Sequence, residues 1–357
     1  MPETRPLVIT NDSQLLDELL RLAAVSGTDV DVVPDVGASR TLWRTARVVL
    51  IGADAALRTR TRPPRRRGVI LVGHDLDDAD VWELGVHLGA EHVAVLPDGE
   101  AWLMDILGSA GDRRLEPAPI LAVIGGRGGA GATTVAVALA MAAVRANHAT
   151  MLLDADPLSG GIDLALGGEG ASGLRWDDLG NVQGRLPSAA MAGALPSIEG
   201  LTVLTWERTD SAIPSIPAEA TEAALDAGRR GHDLVIVDLP RSLDLGAQLI
   251  ADQASLVLVV VPAELRAAAS AARVCHQLRG CADVRLVVRG PSPGGLDGWL
   301  IADALGLPLA VNLKPETGLA AAYERGEAPG ARPRSPLAQF ASRTVDEVTA
   351  ISRRPAA

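Results

Sequence analysis

The sequence predicts an α/β chain made of two successive parallel sheets, each covered by helices on both faces. Three observations predict it. Apolar, strand-like runs alternate with helical patterns along most of the 357 residues, the mark of strand–helix–strand crossovers. A stretch holding glycine, charge and two prolines (Ser109–Pro119) breaks that alternation, as a boundary does. The length also fits two domains of about 100–200 residues each. The expected division is 1–110, a linker over 111–119, a second domain over 120–334, and a C-terminal helix and tail over 335–357.

In the first domain, strands are expected at Pro6–Thr10, Val30–Val33, Val48–Ile51, Val69–Val72 and His92–Leu96. Helices such as Ser13–Ala24 and Asp78–Leu88 lie between them. Residues 58–67, RTRTRPPRRR, hold six arginines and two prolines. A solvated loop is the expected reading; an acidic partner, lipid head groups or nucleic acid are the functional alternatives. Five strands in this order resemble the receiver domain of bacterial response regulators. That resemblance implies acids after the first strand, an aspartate ending the third and a lysine after the fifth. Here Asn11 and Asp12 stand at the first place and Gly52 at the second, with Asp54 two residues beyond. Leu96 precedes Pro97 where the lysine belongs. The domain is therefore read as a degenerate receiver-like (flavodoxin-like) docking or dimerisation module, with the arginine–proline loop replacing a usual helix.

In the second domain, strands are expected at Ile120–Ile124, Thr150–Asp154, Leu201–Thr205, Leu234–Asp238, Leu256–Val261 and Val284–Val288, with a short one at Leu309–Val311. The tail over Ser335–Ile351 reads as one amphipathic helix. Its apolar members Leu337, Phe340, Val345, Val348 and Ile351 are expected to dock on the protein body. Its polar face mixes charges, unlike a lipid-seeking helix.

The strand Ile120–Ile124 runs into a glycine-rich turn and then into TTVAVALAMAAVRA. The spacing fits G-x-x-x-x-G-[K]-[ST] with Gly126, Gly131 and Thr133, but Ala132 stands in the lysine's place. The chain has a single lysine, Lys314. Glycines let backbone wrap phosphates, and the following helix aims its N-terminus at them. The candidate phosphate cradle is thus Gly126, Arg127, Gly128, Gly129, Ala130, Gly131, Ala132, Thr133 and Thr134, with the Thr133 hydroxyl placed for Mg²⁺. Two later motifs support a nucleotide site. MLLDADP puts Asp154 and Asp156 on one side of a strand end, suited to water activation and outer coordination of Mg²⁺. HDLVIVDLP ends an apolar strand at Asp238, a second Mg²⁺ candidate.

These residues together resemble the deviant-Walker ATPases of the MinD/ParA superfamily, a P-loop NTPase fold with a doubly wound parallel sheet. The order of domains is similar to the CpaE/TadZ branch, whose actinobacterial members are described as septum-site-determining or pilus-locus proteins. The resemblance implies ATP and Mg²⁺ as cofactors, and a homodimer enclosing nucleotide. It puts Arg127 at the family's signature-lysine position, where it could act on phosphates in cis or across the dimer; with Asp154 and Asp156 it completes the candidate catalytic set. Losing a unit charge about 4 Å from phosphate costs about 4 kcal/mol at an effective dielectric near 20, so modest affinity and at best a weak ATPase are expected. Arg289 stands where the family often has a base-reading asparagine. Arg241, after Asp238, is read as a phosphate or partner contact or as a plain surface arginine.

Net charge of −11 argues against nucleic acid and against an anionic membrane surface beyond peripheral association. No apolar run of about 18 residues is present, and no signal peptide is evident. Cys275 and Cys281 lack metal-ligand spacing and read as buried or half-buried helix cysteines in a reduced, cytoplasmic setting. The expected function is a nucleotide-dependent localisation factor for a septal, pilus or secretion assembly, recruited to pole, septum or inner membrane face by protein partners. The alternative is a non-hydrolysing scaffold with a degenerate site.

Overall fold

The computed structural model describes residues 5–74, 79–111, 117–180, 185–208 and 217–351. Most of the expected linker therefore lies outside the described residues, as do Asp78 and the last six residues of the tail. The chain divides into two compact units, Met1–Arg113 with Pro187–Ala190, and Arg114–Leu186 with Met191–Ala357.

The first unit contains β1 (Leu7–Ile9), β2 (Asp31–Val33), β3 (Val49–Gly52), β4 (Val69–Gly73) and β5 (His92–Val95). They form one parallel sheet in the order β2-β1-β3-β4-β5, the flavodoxin-like order. Alternation along the strands fills two cores: Leu7, Ile9, Val49, Ile51 and Leu71 face one side, Val8, Leu50, Ile70 and Val72 the other. Asp12 begins helix Ser13–Val25 as its cap, accepting from the amides of Gln14 (2.9 Å) and Leu15 (3.3 Å). Those bonds commit one Asp12 carboxylate oxygen to capping the helix.

A short helix, Ala53–Arg58, follows β3, and no helix forms over 59–68. Among the described residues at least three of the six loop arginines are used internally: Arg62 donates to the Val86 carbonyl at 3.3 Å. Arg66 donates to the carbonyls of Trp43, Ala46 and Arg47 at the end of helix Arg40–Thr45, where orphan carbonyls need donors. Arg58 pairs with Asp54.

The second unit contains β6 (Ile120–Gly125), β7 (Thr150–Asp154), β8 (Ser197–Ile198), β9 (Leu201–Leu204), β10 (Leu234–Leu239), β11 (Leu256–Pro262), β12 (Val284–Arg289) and β13 (Leu309–Leu313). Their order is β13-β12-β11-β6-β10-β7-β9-β8, with only β8–β9 antiparallel. β8 is not expected from sequence. It has two residues, and its hairpin exists because Glu199 and Gly200 adopt φ of 52° and 80°.

Odd and even residues of β6 enter different cores: Ile120, Ala122 and Ile124 on one face, Leu121 and Val123 on the other. Helix Ala132–Arg145 and helix Pro336–Ile351 pack on the second face, burying Leu337, Phe340, Val345 and Val348. Those side chains contribute about 1.5–3 kcal/mol each through burial, so the tail helix is part of the core. The Ile351 side chain lies outside the described residues. Cys275 is half-buried in helix Leu265–Gln277 as expected, but Cys281 falls in the bend beyond it, after Gly280.

Candidate functional site

The site forms at the carboxyl edge of the second sheet, where β6 sits between β10 and β11. Beyond Gly125 the chain turns through Gly126–Gly131 into helix Ala132–Arg145. Gly129 and Gly131 hold φ of 69° and 95°, conformations that a Cβ opposes. A Cβ at Gly126 would lie 2.7 Å from the Ala271 methyl, so this glycine lets the loop pack on its neighbour. Gly131 caps the helix with no side-chain acceptor, leaving the first-turn amides available to an anion.

These elements wall a cavity of about 440 Å³. Arg127, Gly128, Gly129, Ala130, Gly131, Ala132, Thr133 and Thr134 line it, joined by Asp156, Asp238, Arg241, Arg289, Leu319 and Tyr323. Of the residues proposed from sequence, only Gly126 and Asp154 are absent from that wall.

The two strand-end carboxylates divide their work. Asp154 is fully buried and accepts from Ser159 Oγ (2.7 Å), Thr205 Oγ1 (3.0 Å) and the amides of Ile162 and Asp156 (3.2 Å each). Burial pushes its carboxyl up to about 6, against those hydrogen bonds, which favour the charged form. Its backbone carbonyl takes bonds from Trp176 Nε1 (2.7 Å) and Trp206 Nε1 (3.0 Å). Asp154 thus organises the strand end, and Asp156 presents its carboxylate to the cavity.

Asp238 lies beside Asp154 in the β10–β7 register and accepts from Thr133 Oγ1 at 2.5 Å. Burial drives its carboxyl up to about 8, opposed by the Thr133 hydrogen bond and reinforced by the nearby Asp154 and Asp156. A buried carboxylate in that position calls for positive charge. Thr133, Asp238 and Asp156 are hard oxygen donors, and Mg²⁺ is commonly held by one or two carboxylates plus substrate phosphates. Among the described residues no group of three or more His, Cys, Asp or Glu could hold a metal alone. The residues therefore fit Mg²⁺ arriving with phosphate.

The missing lysine leaves the cavity with arginines instead. Arg127 pairs with Glu264 at 3.0 Å, and its buried Nε has no partner. The Arg241 guanidinium carbon would lie 3.8 Å from a Cβ built on Gly128. Arg289, assigned to the base side by the resemblance, reaches the loop itself: its Nη1 would lie 3.3 Å from a Cβ on Gly131. Glu264 and Tyr323 carried no sequence signal. Tyr323, the only tyrosine in the chain, hydrogen-bonds Thr134 at 2.8 Å, a contact no local pattern announces.

Among the described residues no helix is long and apolar enough to cross a membrane.

Residues 9–117 match the family described as Rv3660c-like, CheY-like N-terminal domain. Over 343 residues the chain is 41% identical to protein Rv3660c of Mycobacterium tuberculosis, covering 94% of this chain and 95% of that one. In fold, the chain is similar to a ParA family ATPase from Chlorobium tepidum TLS, with TM-score 0.58, 17% identity, and coverage of 65% of this chain and 98% of that one. It is also similar to the septum site-determining protein MinD of Pyrococcus horikoshii OT3, solved with Mg-ADP: TM-score 0.52, 17% identity, and coverage of 66% and 98%. The chain thus joins a CheY-like N-terminal domain to a second unit with the fold of ParA- and MinD-type proteins.

Proposed function

The chain belongs to the Rv3660c-like family, and from that membership we propose a nucleotide-dependent positioning factor. ATP with Mg²⁺ would occupy the cavity, and the bound state would select a protein partner of a septal, pilus or secretion assembly. The observation carrying this reading is the Thr133–Asp238 hydrogen bond beside a glycine loop with uncapped amides. It joins a hydroxyl, a carboxylate and an anion cradle in one cavity.

Mg²⁺, when bound, would supply charge neutralisation between phosphate and Asp238. Thr133 and Asp238 would hold it, the amides from Arg127 to Thr134 would bind phosphate oxygens, and Asp156 would position a water. Arg127 would have to leave Glu264 to reach phosphate, in cis or from a second copy. With alanine at position 132 hydrolysis would be slow, acting as a timer on a population shift between states. Ala132 also favours a second reading, a scaffold that binds nucleotide without turnover.

A homodimer has a physical basis. Leu158, Leu245 and Leu265 follow β7, β10 and β11 at the site's edge, and are 74%, 81% and 79% exposed. Burial in a second copy would stabilise such a face. We place the protein in the cytoplasm, recruited by partners to pole, septum or inner membrane face.

Equilibrium binding of a fluorescent ATP analogue, with and without Mg²⁺, tests the reading. Saturable binding that ATP displaces best, and that Mg²⁺ strengthens, is the expected result. No binding at millimolar nucleotide would overturn it.

A further inference from the structure

We infer that Arg289 supplies the phosphate-binding cation that Ala132 does not. The inference rests on the nucleotide reading above and assigns a residue to that site. Arg289 is the last residue of β12, paired in register with Pro262 of β11, while Val260 of β11 pairs with Gly125. Its backbone is thus fixed at the carboxyl edge, two strands from the phosphate loop. From there the side chain runs back along the final loop glycine. A Cβ on Gly131 would meet Nη1 at 3.3 Å, Cζ at 3.8 Å and Cδ at 3.9 Å. The guanidinium therefore lies beside the residue that immediately precedes Ala132, within the cavity that the loop lines.

Its hydrogen-bonding state points the same way. Arg289 Nε is buried without a partner, and among the described residues no carboxylate pairs with this guanidinium. An unpaired buried donor is costly, and a phosphate oxygen would satisfy it. Arg127 is engaged by Glu264, and Arg241 is exposed. Arg289 alone of the three is half-buried against the loop with no acid attached. Its planar fork suits two phosphate oxygens at once.

The rival role is contact with the base. Arg289 also lines an adjoining, largely apolar cavity of about 300 Å³ with Val287, Pro291 and Pro315, where a nucleoside would fit. Inorganic tripolyphosphate separates the two roles, because it has no base.

The experiment uses the full chain with Mg²⁺ and a fluorescent ATP analogue, displaced by ATP, GTP or tripolyphosphate. Arg289→Gln is expected to weaken ATP and tripolyphosphate in parallel, by about tenfold or more. The ratio of ATP to GTP affinity and the ligand-free melting temperature should not change. Ala132→Lys in the Arg289→Gln background should restore most of the loss. Unchanged tripolyphosphate binding, with a shifted ATP-to-GTP ratio, would overturn the inference in favour of base contact. A variant that binds like wild type would overturn it outright and leave the nucleotide reading standing. Wild-type protein that binds neither ATP nor tripolyphosphate would sink both. If Arg289→Gln does not fold, Ala132→Lys alone decides: little gain in affinity supports Arg289 as the resident cation, and a gain of about tenfold or more overturns it.

Discussion

At the carboxyl edge of the first sheet, Asp54 accepts from Thr10 Oγ1 (2.7 Å) and the Asn11 amide (2.9 Å) and pairs with Arg58. At the same edge of the second sheet, Asp238 has only the Thr133 hydroxyl, and Asp154 only hydroxyls and amides, with no cation on either among the described residues. Arginines line the second cavity, yet none neutralises these acids. Both edges are carboxyl ends of parallel strands, and they differ in whether their charges are settled within the fold. Burial pushes Asp54 up, but Thr10, the amides of Asn11 and Ala55, and Arg58 outweigh it and hold its carboxyl below the usual value. Its site is closed by its own side chains. In the second unit, Asp238, raised by burial, and Arg289, with no acid partner among the described residues, face one cavity, an arrangement that Mg²⁺ and phosphate together would complete.

The largest expected effect breaks this comparison directly. Asp238→Ala should weaken Mg²⁺-dependent nucleotide binding by about a thousandfold, the scale of a unit charge about 4 Å from a cation at an effective dielectric near 20. Asp54→Ala should leave that binding unchanged. Titration of both variants with the fluorescent analogue gives the contrast, and equal losses would refute it.

A smaller effect concerns acid response, which should have opposite sign in the two units. The Asp154 carboxyl is about 6 when folded, against 3.8 for an ordinary aspartate. Its contribution to stability is complete below about pH 4 and is lost as pH rises through 6, a change on the order of 2–3 kcal/mol. Asp54 is lowered on folding, so its contribution is present above 3.8 and is lost as pH falls through its folded value. Hydrogen exchange of core amides in each sheet, followed from pH 3 to pH 7 without ligand, should show this divergence. Parallel trends would argue against it.

The smallest effect sharpens the description of the closed site. Arg58 is half-exposed in its pair with Asp54, and such pairs contribute about 0–1 kcal/mol. Arg58→Ala should therefore lower the urea midpoint of the first unit only slightly. A loss well above 1 kcal/mol would mean that the loop arginine is a structural keystone of that edge.

The sequence shows the strands well because parallel strands buried on both faces are nearly continuous apolar runs. Every expected strand of both sheets forms within a residue or two of its expected limits. Side-chain direction at strand ends is less legible. Alternation puts Asp154 and Asp156 on one side only while the strand lasts, and β7 ends at Asp154. The turn beyond it sends Asp156 to the cavity while Asp154 stays inside. Arg289 shows the same limit over a longer distance: its neighbour is Gly131, 158 positions earlier in the chain, because β12 and β6 are brought to one edge by strand order. Arg58 and Arg66 look like parts of a solvated charge run until their acceptors are seen.

The two indoles that converge on the Asp154 carbonyl lie with ring centroids 5.8 Å apart. Their emission depends on that pair of hydrogen bonds and on the polarity around them, and the carbonyl belongs to the segment that delivers Asp156 to the cavity. Any shift of this segment as the cavity fills would register as a change in tryptophan wavelength or intensity. The chain thus carries a built-in optical gauge of its own site, readable without a label, with Trp176→Phe and Trp206→Phe as the filters that isolate its signal among six tryptophans.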